Sequence, residues 1–504
     1  MTPPPPRSSF DKAPKPDIIF ILCDQLRADF LSLHGCAAIR TPHIDRLARE
    51  GIVYENAVSP QPLCVPARAA MLTGLNPIQS GVISNHHWLR PDRYALGLHT
   101  WPDILRDQGY RTASIGKMHF HPFESSEGFD DRIIAEDKRW PLVGDDYAEF
   151  LKTRGLEKFN AITHPDYVEN QGAVLFPHGT ENSPDRFVSM SAADYIRRQP
   201  ASRPFAMMIG FPGPHCPYDP SEEYLGHVTP DALPPLCPRI DDGSAERTAW
   251  HDAFLAENRA AWHALDYATF PTPAKLLIRH YYAALIAQID EEVGRIVAAL
   301  EATGRFENAL IVFTSDHGDH VGDHDRVGKG TFYEPSVHIP LVVRLPGAAG
   351  AGRRVATPVE LQRVPATILA AGGADIPPWW NYPALPVPDI TDSCGKTTDA
   401  ERPVCGFLNT GTMIRIGPWK LSHYTAGFSE LFNLDEDPTE TINRINDPAC
   451  DALLARLDSA LRLWIQASIV TSHNDQRLPR KPALSASHAF GRRGWRQPYP
   501  APLT

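Results

Sequence analysis

Cys64 and Arg68 stand four residues apart in the stretch PQPLCVPARAAMLTG, with Pro66 between them. Proline suits the first turn of a helix, where its missing N–H costs little, and residues four apart on a helix share a face. The pattern predicts a helix over residues 66–73 directly after Cys64. Cys64 then lies at the electropositive end of that helix, with a guanidinium one turn along, a place that welcomes an oxyanion. An isolated cysteine is ordinarily a small buried hydrophobe, so the remainder of the chain has to decide between packing and chemistry.

The elements that would position further groups are legible as apolar runs. Residues 17–23 (DIIFILC) form a continuous apolar run, the pattern of a strand buried on both faces of a parallel sheet. Further strands are predicted over 52–57, 110–115, 205–210, 308–314 and 340–344, and helices over 43–50, 102–109 and 276–302, the last with apolar positions every three to four residues. Alternation of this kind implies an α/β fold built on a large, mostly parallel sheet sandwiched by helices. Residues 404–434 read as short strands joined by turns, a small C-terminal antiparallel subdomain, followed by a helix over 450–467. The expected division is a tail over 1–16, a catalytic domain over 17–388, a small α+β subdomain over 389–470 and a C-terminal arm over 471–504.

In open α/β sheets ligands bind beyond the carboxyl ends of the strands. Asp24, Lys117, His215, Asp316 and His317 each fall just past such an end. Two carboxylates and an imidazole converging there point to a divalent metal site. Lys117 and His119 are two apart; on an extended backbone both would face one side, one as a fixed charge and the other as a titratable base. His215 sits between two prolines, Lys329 lies among glycines in VGKGTFYEP, and Asn85 ends GVISN.

Composition excludes several classes. The formal charge of −11 over 504 residues argues against a partner such as nucleic acid. No apolar run reaches membrane-spanning length, and the proline-rich start, MTPPPPRSSFDKAPKPD, lacks the apolar segment of a secretory signal. Eight scattered cysteines, with no C-x-x-C pair, fit neither a zinc ribbon nor a disulfide framework. These features lead to the expectation of a cytoplasmic protein. The Arg- and Pro-rich stretch at the end cannot build a core alone; it is either a disordered tail or an arm packing on a neighbouring subunit, and the arm would make a homo-oligomer, a dimer or tetramer.

Taken in order, the strand ending in Asp24-Gln25-Leu26-Arg27, then TPHIDRLAREG, CVPAR followed by A-x-x-L-T-G, GYRTASIGKMH, Pro-His-Cys-Pro, TSDHGD, GKGTFYEP and the closing GPWKLSHY…ELFNLDEDPTE resemble the blocks of the formylglycine-dependent sulfatases, within the alkaline phosphatase superfamily. The resemblance runs over roughly residues 17–447. Two departures stand out. Many sulfatases have two acidic residues where this chain has Asp24-Gln25, and Asp-Asn where it has Asp316-His317. Asp-Gln, a turn Asn and Asp-His resemble the branch of phosphonate monoester hydrolases and their arylsulfatase relatives, whereas Lys117 and His119 resemble the sulfate-ester side.

The resemblance implies that a formylglycine-generating enzyme oxidises Cys64 to 3-oxoalanine, whose hydrated form is the nucleophile. It implies a divalent ion held by Asp24, Asp316, His317 and the oxidised Cys64, manganese favoured over calcium because of the histidine nitrogen, with zinc possible. Arg68 and Lys117 would hold the diol and neutralise charge. His215 and Lys329 would serve the leaving oxygen, His119 would take a proton, and Gln25 and Asn85 would contact metal or oxyanion. The substrate is then a small sulfate ester or, alternatively, a phosphonate or phosphate ester. A catalytically dead binder of sulfated or phosphorylated ligands is the reading from another class. The Cys64–Arg68 spacing is too short for the loop of cysteine-dependent phosphatases.

Overall fold

In the computed structural model of the chain, which describes residues 14–94, 97–240, 243–261, 265–387 and 402–472, the run Asp17–Asp24 is a strand buried along its whole length. It lies inside an eight-stranded sheet with the order Arg353–Val355, Ile52–Tyr54, Leu341–Arg344, Ala309–Ser315, Asp17–Asp24, Phe205–Pro214, Arg111–Gly116, Asp131–Ile134. Leu341–Arg344 runs antiparallel to both neighbours; the other pairings are parallel. The proposed tail falls outside the described residues up to residue 13, and the arm beyond residue 472.

Alternation along the central strand feeds two cores. Ile19, Ile21 and Cys23 pack beneath the helices Pro42–Arg49, Pro184–Arg198 and Thr272–Ala302. Ile18, Phe20 and Leu22 pack on the opposite face against Cys64–Thr73, Trp101–Asp107 and Arg363–Ala371. This is the period-two division of a strand covered on both sides.

Two stretches hold more structure than their texture suggests. Residues 122–200, rich in Pro, His and Asp, contain the edge strand Asp131–Ile134 and the helix Pro184–Arg198. Val188, Ala192 and Ile196, four apart and buried, are the signal for that helix. Residues 218–275 contain the helix Ala245–Ala261. The helix predicted over 66–73 starts two residues earlier, so that Cys64 itself occupies its first turn.

Four antiparallel strands, Val404–Leu408, Gly411–Ile416, Trp419–Tyr424 and Ser429–Asn433, form a meander in chain order. One face of it packs Val404, Met413 and Phe432 on Phe332 and Tyr333; the other carries the helix Asp451–Ser472 through Leu457 and Leu461. Lys420 pins the meander to the main domain through Glu334 at 2.6 Å, and Glu440, just past the meander, pairs with the same ammonium at 2.6 Å. Asn76 donates to the hydroxyl of Ser468 at 2.8 Å, tying the last helix back to the main domain. No helix among the described residues is long and apolar enough to cross a membrane.

The loop after Ala309–Ser315 is anchored by Asp323, which is fully buried and pairs with Arg27 at 2.6 Å and Arg279 at 3.0 Å. Removing one partner of a buried pair leaves uncompensated charge. Asp323→Ala is therefore expected to cost about 3–5 kcal/mol, read as a lower urea midpoint. A loss below about 1 kcal/mol would contradict the anchoring role.

Candidate active site

Strand register brings the first two carboxylates together. Cys23 pairs with Ser315, so Asp24 and Asp316 leave adjacent strands side by side. Like charges this close need a counter-charge, and Arg68 supplies it. Its Nε donates to Asp316 at 2.9 Å, one Nη to Asp24 at 3.1 Å, and the other Nη to the carbonyl of Lys117 at 2.6 Å. Arg68 is 1% exposed. One turn earlier, the Cys64 sulfur lies 3.2 Å from His317 Nε2 and 3.9 Å from Asp24 Oδ1. The spacing of four between Cys64 and Arg68 thus places both groups over the same pair of strand ends.

Lys117 reaches the cluster by a different route from the extended one expected. Gly116 has φ +97°, and a Cβ there would lie 2.0 Å from the Gly210 carbonyl oxygen. Only glycine permits that approach. His119 also has positive φ, at 59°, so the chain coils rather than running straight. The Lys117 ammonium sits 2.7 Å from Asp24 and 2.9 Å from Asp137. Glu136 accepts from the His119 backbone N–H at 3.2 Å, and Trp140 packs edge-on against the imidazole, ring centres 5.0 Å apart. His119 Nδ1 is buried without a partner.

His215 Nδ1 lies 2.6 Å from the Cys216 carbonyl and Nε2 lies 2.8 Å from Lys329 Nζ. A carbonyl accepts and an ammonium donates, so the imidazole is neutral with its proton on Nδ1. Lys329 also donates to Gln25 Oε1 at 2.5 Å. Gln25 Nε2 donates in turn to Asp319, which accepts from Tyr218 at 2.7 Å. Asn85 accepts from the Val65 backbone N–H at 3.0 Å, capping the first turn of the helix that carries Cys64. Of the eleven residues singled out from the sequence, Asp24, Gln25, Cys64, Arg68, Lys117, His119, His215, Asp316, His317 and Lys329 form one connected set, with Asn85 behind the helix start.

Sequence reasoning missed the supports. Asp137 holds Lys117 and Arg139, the latter at 3.0 Å. Glu136, Asp319 and Tyr218 orient groups that touch the center of the cluster. The available signal was the Glu136-Asp137 pair just past an apolar Ile133-Ile134 run, inside a stretch read as insertion.

The electrostatics follow from burial and pairing. Burial raises the Asp24 carboxyl and Cys64 adds to this, but Lys117, His215 and Arg68 outweigh both and hold it below the usual range. Burial, then Asp24, push Asp316 up. Burial would raise the Cys64 thiol, yet Lys329 and His317, with hydrogen bonds from His119 and His215, bring it well below its ordinary value. Burial and the neighbouring Lys329 and Lys117 pull His215 down to about 3, in keeping with a neutral ring. His317 goes the other way: burial opposes its protonation, but Asp316 and Cys64 reverse the direction.

Asp24, Cys64, Asp316 and His317 each offer a donor atom within 4.8 Å of the others, all buried. Arg68 takes one oxygen of each carboxylate, leaving Asp24 Oδ1 toward Cys64 and His317. His317 Nδ1 is 2.9 Å from the Gly318 carbonyl, which fixes Nε2 as the lone-pair nitrogen when the ring is neutral. The donor set fits a divalent cation. Beside it an open pocket of about 200 Å³ is walled by Asn85, Arg139, Trp250, Phe254, Lys329 and Asn409.

A family model described as sulfatase matches residues 16–374. An arylsulfatase of Clostridium perfringens is 27% identical over 458 residues, 86% of this chain and 90% of the relative. A phosphonate monoester hydrolase of Agrobacterium radiobacter superposes with a TM-score of 0.72 at 25% identity, over 90% of this chain and 96% of that one. One from Silicibacter pomeroyi gives 0.74 at 23%, over 91% and 97%, a likeness of fold.

Asp137 is the second anchor of Lys117. In Asp137→Asn the ammonium keeps Asp24 but loses one counter-charge, and turnover of a good substrate is expected to fall about 10–100-fold with the fold intact. Wild-type turnover in that variant would remove Asp137 from the account.

Proposed function

The chain belongs to the sulfatase family, hydrolases of sulfuric esters, and on that premise we propose that it cleaves small sulfate monoesters of the aryl type, using residue 64 as a formylglycine. The observation that carries this reading is the place of Cys64: at a helix start, 3.2 Å from His317, within one donor set with Asp24 and Asp316. Its side chain is 0% exposed, so a formylglycine-generating enzyme would act before this helix packs.

As a hydrated aldehyde, residue 64 passes the proton of one hydroxyl to the Asp24 Oδ1 that faces it, and that oxygen bonds to the sulfur. The S–O bond to the alcohol breaks, and the leaving oxygen takes a proton. The remaining hydroxyl then loses its proton, the C–O bond to sulfate breaks as the aldehyde re-forms, sulfate departs, and a water adds to the aldehyde to restore the diol. Arg68 and Lys117 stand where negative charge develops. His215 is neutral with its own proton committed to Cys216, so the proton for the leaving oxygen comes from Lys329, which His215 and Gln25 orient. His119, with Nδ1 unpartnered, is the base for the second hydroxyl. A divalent ion held by Asp24, Asp316, His317 and residue 64 would supply Lewis-acid charge; manganese is preferred to calcium for the sake of the imidazole nitrogen.

Trp250 and Phe254 in the pocket wall favour a flat leaving group. Phosphonate monoester hydrolysis is the second reading, supported by Gln25 in place of an acid and by the 25% identical structural neighbour. The test is kcat/KM for an aryl sulfate against an aryl phosphonate monoester sharing one phenol, with the residue-64 aldehyde confirmed by mass spectrometry. The proposal expects preference for the sulfate; preference for the phosphonate would replace it with the second reading.

A further inference from the structure

Arg139 stands on the wall of the pocket beside the donor set, with Asn85, Trp250, Phe254 and Lys329. Its position is set before any substrate arrives. Nε and Nη2 donate side-on to the two oxygens of buried Asp137, at 3.1 and 3.0 Å, and its backbone N–H adds a third bond at 2.9 Å. The preceding residue is tied down as well: Lys138 Nζ donates to the Pro217 carbonyl at 3.0 Å and pairs with Asp219. The rotamer freedom that an arginine loses when it meets a ligand is already gone here.

A guanidinium carries five N–H donors in one plane. Asp137 takes the edge formed by Nε and Nη2. The two donors on Nη1 and the second on Nη2 form the end edge, a fork that matches the two oxygens of a carboxylate. Among the described residues no other group accepts from Arg139, and its side chain is 14% exposed. The end edge is thus left to the pocket that Arg139 walls.

Of the charges on this wall, Arg139 and Lys329 are cations, and Glu257 is an exposed carboxylate that solvent screens. Lys329 serves the leaving oxygen. His215 links it to the Arg139 site, its Nε2 lying 2.8 Å from Lys329 Nζ and 3.9 Å from Asp137 Oδ2. A leaving group seated with its oxygen at Lys329 extends along a wall that carries a second, pre-positioned cationic fork. We propose, resting on the aryl sulfate reading above, that Arg139 is a specificity residue that receives a carboxylate on the leaving group. The preferred substrates are then aryl sulfates with a carboxylate meta or para to the ester. Their two anionic groups are bound apart, the sulfate by Arg68 and Lys117 and the carboxylate by Arg139.

The test measures kcat/KM for meta- and para-carboxyphenyl sulfate and for the matching carbamoylphenyl sulfates, which keep the shape and lose the charge, with the residue-64 aldehyde confirmed. Each carboxylate-to-carbamoyl ratio is compared between wild type and Arg139→Gln. That comparison cancels the phenols' unequal reactivity and any loss that the variant imposes on both substrates through Asp137. For at least one isomer the ratio should be higher in wild type by about tenfold or more. Should Arg139→Gln fail to fold, Arg139→Lys takes its place, with a drop of about fivefold expected because it keeps the charge and loses the fork. Ratios within about twofold of wild type in a folded variant, for both isomers, would overturn the assignment. If wild type turns over none of the four sulfates, the aryl sulfate reading falls, and the same comparison with the corresponding aryl methylphosphonate monoesters decides on Arg139 by the same criterion.

Discussion

One guanidinium organises this molecule's chemistry. Asp24 and Asp316 are forced together by the register of two central strands, and without a cation between them the fully buried pair would repel. Arg68 bonds to both and to the Lys117 carbonyl. It thereby joins two strand ends, the helix that bears Cys64 and the coil that bears Lys117. Because its planar fork fixes direction as well as charge, lysine would not substitute for it.

Around that centre the fold separates rigid parts from adjustable ones. Strands and the Cys64 helix supply the donor set. The Gln25–Asp319–Tyr218 chain and the Lys329–His215 contact supply orientation from loops. The C-terminal meander contributes no member of the donor set, yet Lys420 and the Phe332–Tyr333 packing hold the segment that follows Lys329. It steadies the loop that runs from Ala309–Ser315 to Leu341–Arg344, and its Asn409 turn adds to the pocket wall.

Much of this was legible before the fold. Continuous apolar runs identified the inner strands because both faces are covered, and the residues following them marked the functional edge. What the sequence concealed is pairing across distance. Nothing local to Asp137 says that it meets Lys117, and Asp319 reads like any turn acid until Gln25 is seen against it. Strand order is hidden for the same reason: Asp131–Ile134 is short and half-buried at the sheet edge, so its run is weak. The straight path expected from Lys117 to His119 failed because Gly116 and His119 both take left-handed backbone, which residue alternation cannot reveal. Asn85, expected at the metal or oxyanion, accepts from the Val65 N–H of the Cys64 helix and also lines the pocket beside the donor set, a contact across 20 residues that its local sequence does not reveal.

The proposed nucleophile is residue 64, held in a site whose other members pair without it. The most direct measurement is kcat/KM for an aryl sulfate with Cys64→Ala beside wild type, both metal-loaded and both checked by circular dichroism. A nucleophile at residue 64 requires a loss of at least about 1,000-fold in turnover with the folded spectrum unchanged. Turnover within about tenfold of wild type would contradict it.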